Sequence, residues 1–155
     1  MKPPSAFPFK KREELFDYIP FLLTRLANRW SLDQSEWLRE SGLNGTMMRI
    51  LAALSAFGDL TINQLTVTSV TEQSTTSRTI EQLVIEGKVE RLVHPDDQRV
   101  RVVSLLPEGR RKLDEISPAV NANFERLIQG IDEEDLKTCI NVLQKMVDNI
   151  CVSKI

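Results

Sequence analysis

Two short runs of side chains in this sequence gather groups suited to gripping phosphates and base edges. Gln73, Ser74, Thr75, Ser77 and Arg78 fall within one stretch, and Asp97, Arg99 and Arg101 alternate along another. On a helix, at about 100° per residue, Thr76, Ile80 and Leu83 point one way and Ser74 and Arg78 the other, with Thr75, Ser77 and Gln82 on the flanks. That arrangement sets short hydroxyls around one guanidinium near a helix start. Arginine can donate two hydrogen bonds to a guanine edge, and Ser or Thr reaches phosphates and bases without bulk. Glu81 and Glu86 lie toward the other end, where phosphate is repelled, so the N-terminal half of the helix is the half suited to docking. On a strand, residues two apart share a face, so Arg99 and Arg101 project together, and Asp97 is within reach of orienting the Arg99 guanidinium. An arginine held that way suits a narrow minor groove. Taken alone, each run is also what a solvated helix face or an ion pair on a hairpin looks like, and the surrounding elements decide.

Those elements read clearly in sequence. Glu72 to Glu86 carries one apolar face and ends at Gly87, which favours a left-handed C-terminal cap. Before it, Asn44 caps a helix with Met47, Ile50, Leu51, Leu54 and Phe57 at helical spacing, stopped by Gly58. Asp59 and Leu60 form a brief link, Thr61 caps a short helix with Ile62, Leu65 and Thr66, and a turn follows at Ser69 and Val70. Two helices joined by a short turn are the helix-turn-helix unit. Val89 and Leu92, then Val100, Val102 and Leu105, are β-prone stretches flanking His94-Pro95-Asp96-Asp97-Gln98, a polar turn; this hairpin is the wing.

Outside this unit, residues 1–18 contain Pro3, Pro4 and Pro8 with Phe7, Phe9 and Phe16 and a basic pair at Lys10 and Lys11, the pattern of an extended arm of the kind that grips a partner subunit. Pro20 fits a first helical turn, and Leu23, Leu26, Trp30 and Trp37 extend that helix to Glu40, with Gly42 ending it. Pro107 to Ile128 is helical with an expected bend at Ser117-Pro118, and Gly130 breaks it. Asp132 caps a last helix whose Leu136, Ile140, Leu143, Val147 and Ile150 step by four, three, four and three, a seam for packing against another helix.

Composition narrows the function classes. The chain has 155 residues, 41% hydrophobic and 27% charged, with a net charge of −2. That length suits one domain with extra helices, and the acidic balance argues against coating nucleic acid through a large positive field, so any DNA contact is local. Cys139, Cys151 and His94 are the whole stock of cysteine and histidine, too few for a metal cluster within one chain. No metal and no cofactor are expected, and the cysteines read as helix-packing residues. No secretory core or membrane-length apolar stretch is visible, which places the expected location in the cytoplasm, without a membrane partner. An enzyme built from Ser74, Thr75, His94, Asp96, Asp97 and Cys139 has no nucleophile beside a base at a recognisable spacing and no glycine-rich phosphate cradle. A protein-binding adapter of the same fold needs an apolar outer face on the second helix of the unit, where this chain has Ser74, Ser77 and Arg78.

The run Leu83-Val84-Ile85-Glu86-Gly87-Lys88-Val89-Glu90-Arg91, the turn His94-Pro95-Asp96-Asp97-Gln98-Arg99, and Val103-Ser104-Leu105 with Gly109 resemble the MarR family of bacterial transcriptional regulators, with similarity from about Phe21 to Ile150. They look like that family's recognition-helix exit, its wing motif of an aspartate two residues before an arginine, and its return strand. The resemblance implies a homodimer bound to double-stranded DNA at a palindromic operator, a repressor, with N- and C-terminal helices entwined as the dimer platform. It puts the wing arginine on Arg99 with Asp97 as partner, and the recognition helix on Gln73 to Gln82. It departs from the family pattern at Leu106, where a threonine usually caps the next helix, and at His94, where an aspartate is common. The resemblance also implies a small aromatic effector lodged between platform and winged lobe. Trp30, Trp37, Met47, Met48 and Phe57 are candidates to line its pocket, and they serve equally well as core or dimer contacts. Sensing of peroxide by an N-terminal cysteine does not fit a chain with none before Cys139.

The expected plan is mainly α with a small β-hairpin wing. An arm at 1–18 and a dimerisation helix at 19–43 precede a winged helix-turn-helix domain at 44–106, and dimerisation helices at 107–155 follow.

Overall fold

A computed structural model of the chain describes residues 7–94 and 97–150, apart from the side chains of His94 and Gln98. The chain folds as two compact units, Met1–Gly45 and Thr46–Ile155.

In the first unit, the arm is not extended throughout. Arg12–Phe16 forms a short helix, α1, with Glu13 and Glu14 in its first turn, where the helix dipole favours acidic side chains. The Lys10 backbone N–H donates to the Glu14 carboxylate at 2.8 Å, fixing the entry. The prolines hid this turn, because five residues are too few to show an apolar repeat. Phe16 packs edge-on against Phe21 at 5.6 Å, and Phe9 lies 5.0 Å from Tyr18, so the aromatics of the arm pack beside the start of α2 in the same chain. That second helix, α2, runs Ile19–Glu40 with Pro20 in its first turn. Beyond it the Leu43 N–H reaches back to the Leu38 carbonyl at 2.8 Å. Gln34 and Leu38 are its buried residues, while Leu22, Leu23, Leu26 and Leu32 stay exposed.

The second unit opens with α3, Gly45–Phe57, whose Met47, Ile50, Leu51, Ala53 and Leu54 are buried. Leu60–Thr61 then forms a two-residue strand, β1, where the sequence reads only as a link. It is followed by α4 (Ile62–Ser69), α5 (Gln73–Ile85), β2 (Val89–His94) and β3 (Asp97–Leu105). The three strands make one antiparallel sheet in the order β1-β3-β2, with Leu60 opposite Val103 and Leu92 opposite Val102. Leu65, Ile80, Leu83, Val89, Val102 and Val103 are buried and supply the apolar interior of this region.

Between α5 and β2 the chain reverses at Gly87, with φ +67°, a conformation open to glycine at little cost. The Lys88 N–H then closes on the Leu83 carbonyl at 2.9 Å, and the Lys88 carbonyl accepts the Leu106 N–H at 3.0 Å. Helix α6, Pro107–Ile128, starts there with Leu106 as an N-cap that makes no side-chain cap bond, and continues as one helix through Pro118. Gly109 sits against the Lys88 carbonyl and the Leu105 side chain so closely that any Cβ would overlap both. Asp132 caps α7, Glu133–Ile150, by accepting the Asp135 N–H at 2.9 Å, and none of the residues of α7 is buried.

Candidate nucleic-acid interface

The turn between α4 and α5 sets the direction of α5. Thr61 and Gln64 form a reciprocal capping box at the start of α4, the Thr61 hydroxyl accepting the Gln64 N–H. At its other end, Val70 adopts left-handed backbone angles, φ 50° and ψ 54°. A chain of hydroxyls then crosses the turn. Ser69 bonds the Leu65 carbonyl at 2.5 Å, and Ser69–Thr71 and Thr71–Thr76 are each 2.8 Å apart. Each hydroxyl has one hydrogen, so with Ser69 donating to Leu65, Thr71 donates to Ser69, and the Thr76 hydrogen is shared between Thr71 and the Glu72 carbonyl, 3.2 Å away. Arg49 on α3 adds a bond from Nε to the Ser69 carbonyl at 3.0 Å and one from Nη2 to the Thr46 hydroxyl at 3.3 Å. The first turn of α5 is thus tied to the end of α4 and to α3 by polar contacts as well as by burial of Ile80 and Leu83.

The helical spacing holds on α5. Thr76, Ile80 and Leu83 are buried, joined by Thr79, whose hydroxyl returns to the Thr75 carbonyl at 2.8 Å. Gln73, Ser74, Thr75, Arg78 and Gln82 are exposed and Ser77 is half-buried. Among the described residues no ion pair engages Arg78. Glu72, the N-cap, makes no side-chain cap bond, so no cap side chain satisfies the first-turn N–H groups of α5. Gln73 donates from Nε2 to Asn63 Oδ1 at 3.4 Å, linking the first turns of α5 and α4.

The acidic end of α5 is tied to basic partners. Glu81 lies 3.7 Å from Arg91, and Glu86 is paired with Lys88 and accepts a bond from Gln82 at 3.0 Å. The Lys88 ammonium bonded to Glu86 holds that carboxyl below its ordinary range, with Gln82 assisting against partial burial. The repulsion expected from these two carboxylates is accordingly reduced by their own neighbours.

On the wing, Asp97, Arg99 and Arg101 are all exposed. The Asp97 carboxylate accepts the Arg99 backbone N–H at 2.9 Å, which corrects the expectation that it orients the guanidinium. Spacing placed a carboxylate within reach of Arg99 but left open which donor it would choose. The register is also irregular: Val93 pairs with Arg101 and His94 with Asp97, leaving residues 98–100 without a partner on β2. Arg99 and Arg101 are exposed on either side of the half-buried Val100. Pro95 and Asp96 of the expected turn, like Cys151, lie outside the described residues.

The aromatic and sulfur residues considered for an effector divide between the units. Trp30 and Trp37 are half-buried on α2. On α3, Met47 is buried, Met48 half-buried and Phe57 59% exposed. An open depression of about 360 Å³ beside α1 is lined by Arg12, Glu13, Phe16 and Asp17 and involves none of the five. Cys139, expected to pack a helix, is exposed on α7. Among the described residues no group of three His, Cys, Asp or Glu side chains is placed to hold a metal ion, and no helix is long and apolar enough to cross a membrane.

Sequence reasoning missed Asn63, Arg49 and the strand β1. The Thr61-x-x-Gln64 spacing of a capping box was available to place Asn63 in the first turn of α4. Arg49 and β1 act through partners distant in sequence, which local patterns do not show.

Residues 41–100 match the family model described as MarR family. A MarR family transcriptional regulator from Silicibacter pomeroyi, solved by crystallography, is 42% identical, with 93% of this chain and 97% of that one covered and a TM-score of 0.88. The HTH-type transcriptional repressor IacR of Pseudomonas putida is 20% identical over 95% of this chain and 86% of its own length. The fold is shared with CouR from Rhodococcus jostii RHA1, solved bound to p-coumaroyl-CoA, at 24% identity, 90% and 98% coverage and a TM-score of 0.79.

Proposed function

The chain belongs to the MarR family of transcriptional regulators, and on that premise we propose that it acts as a homodimeric repressor that reads a palindromic operator. The observation that carries this reading is the outward face of α5. Ser74, Thr75 and Arg78 are exposed together at the end of a helix whose opposite face is fully buried. Each lobe inserts that half of α5 into a major groove, with Arg78 reading a base edge and the hydroxyls on phosphates or bases. Arg99 enters the flanking minor groove, and Asp97 acts indirectly by holding the backbone of the wing tip at Arg99. Arg101 adds charge beside it. Gln73 completes the reading face.

The proposed dimer is supported by what the single chain leaves uncovered. Ile140, Leu143 and Val147 on α7, Phe124 and Leu127 on α6, and Leu22, Leu23 and Leu26 on α2 are exposed apolar side chains on amphipathic helices. Residues 19–43 and 107–155 are accordingly the proposed platform, and 44–106 the reading domain.

A small aromatic molecule is the proposed effector, in keeping with the p-coumaroyl-CoA bound by CouR. It lowers DNA affinity by binding more tightly to a dimer geometry that misaligns the two α5 helices. Trp30 and Trp37 in the first unit, and Met47, Met48 and Phe57 in the second, are the side chains proposed to respond to it. The only two tryptophans, Trp30 and Trp37, supply the readout, a change in intrinsic fluorescence on titration with aromatic acids.

The experiment that tests the function is selection of bound fragments from random DNA at physiological salt. A two-fold-symmetric consensus is the expected result, with Arg99→Ala weakening binding to selected and unselected sequences alike. Recovery of no consensus would overturn the reading.

A further inference from the structure

The bond between Gln73 and Asn63 joins two exposed side chains and closes neither helix cap. Its position gives it a use. Gln73 is the first residue of α5 and Asn63 the second of α4, so the bond spans the two helix starts of the helix-turn-helix unit. Of the two carboxamides in the first turn of α4, Gln64 is taken up by the capping box with Thr61. Asn63 is the one left to meet Gln73.

A glutamine carboxamide carries one oxygen and two N–H donors. In the bond observed, Gln73 uses one N–H, from Nε2 to Asn63 Oδ1. Its second N–H and its Oε1 remain as an adjacent donor and acceptor. Adenine presents the complement in the major groove, an acceptor at N7 and a donor at N6, and no other base offers that pair. Asn63, with its oxygen engaged, keeps its N–H donors, which suit a phosphate oxygen. We propose that Asn63 and Gln73 form a reading unit, in which Gln73 recognises an adenine in each half-site and Asn63 holds it in place while gripping the adjacent backbone phosphate.

The bond is long at 3.4 Å, so its contribution to the free protein is slight. Its value lies in the complex. A glutamine immobilised on DNA loses rotamer freedom, and a neighbour that already restricts it reduces that loss. Asn63 is therefore a positioning residue for base reading and a direct contact for the backbone, and the two roles separate by substitution.

This inference rests on the DNA-binding reading, and the test keeps the two apart. On the operator selected by the wild-type protein, each adenine in turn is replaced by 7-deazaadenine, which lacks the N7 acceptor but pairs normally. The wild type should lose about 5- to 150-fold in affinity at one position per half-site. Gln73→Ala should bind more weakly and become indifferent to that replacement. Asn63→Ala should lose much of the same discrimination without touching the base, with the effects of the two substitutions less than additive. Asn63→Asp, which keeps the oxygen for Gln73 but removes the donors and adds charge, should retain the discrimination while binding all sequences less well. Since both residues are exposed, thermal melting of each variant should match the wild type. The inference is overturned if the wild type binds its operator yet tolerates 7-deazaadenine everywhere, or if Asn63→Ala discriminates as the wild type does. A wild type that selects no operator overturns the DNA-binding reading itself.

Discussion

Helices α5 and α7 are both amphipathic, and they finish in opposite states. In α5 the apolar face is covered by the chain's own sheet and helices, and the polar face is left outward. In α7 no residue is buried, and the apolar residues Ile140, Leu143 and Val147 are 53%, 38% and 52% exposed. Burying a leucine or valine contributes about 1.5–3 kcal/mol, so an apolar seam left open forgoes several such terms. The difference separates two tasks. The region around α5 is complete in one chain and offers polar groups to something charged. The region around α7 leaves its apolar seam open in the single chain.

The largest effect should come from charging the open seam. Leu143→Asp with Val147→Asp would cost little in a chain that worked alone, since both sites face solvent. In a dimer sealed there, each buried unpaired charge costs several kcal/mol. Sedimentation should show the wild type as a dimer and the double variant as a monomer or aggregate. A double variant that sediments as a dimer would remove the contrast between the two helices.

Next in size, Gly109→Ala strikes the junction between the finished region and α6. A Cβ there overlaps the Lys88 carbonyl and Leu105, and main chain yields poorly, so the loss should be about 1–3 kcal/mol in denaturant unfolding. The same substitution at an exposed residue of α7 should change stability by less than about 0.5 kcal/mol.

The turn that aims α5 carries backbone strain. Val70 is β-branched, 88% exposed and in the left-handed region, so Val70→Gly should stabilise the protein by up to about 1 kcal/mol. A loss of stability on this change would mean the valine side chain makes a contact that matters more than the strain.

The smallest expected effect concerns the pairing of Glu86 with Lys88. The folded Glu86 carboxyl is held below its ordinary value of 4.5, so the pair contributes fully above that pH and is lost as pH falls through the lowered folded value. The contribution of such a partly exposed pair is at most about 1 kcal/mol. The stability difference between the wild type and Glu86→Gln should therefore be constant near neutral pH and shrink in acid below pH 4.5. A difference that persists unchanged into strong acid would show that the pair's charge is not what Glu86 supplies.

The legibility of the two regions in sequence differed for the same physical reason. Thr76, Ile80 and Leu83 repeat at the helical period because one face of α5 is buried, and the period is local information. The same logic exposed the seam of α7 and the ends of both helices at Gly87 and Asp132. What stayed hidden depends on partners far along the chain or on choices between equally near donors. Leu60–Thr61 is too short to show alternation, and its pairing with Val102 and Val103 is set by the fold. Arg49 finds the Ser69 carbonyl by tertiary placement. Asp97 had two donors of Arg99 within reach and took the backbone one. In the arm, Pro3, Pro4 and Pro8 signalled extension, but Arg12–Phe16, free of proline, closed a helical turn with help from Glu14.

The proposed reading of DNA by the outward face of α5 turns on Arg78. It is tested most directly by fluorescence anisotropy of the wild type and Arg78→Ala on the selected duplex and on a scrambled duplex of equal length, at about 0.15 M salt. The expected result is a wild-type preference for the selected duplex that shrinks by about 5- to 150-fold per half-site in Arg78→Ala, while affinity for the scrambled duplex falls far less. An Arg78→Ala protein that keeps the full wild-type preference would contradict the claim.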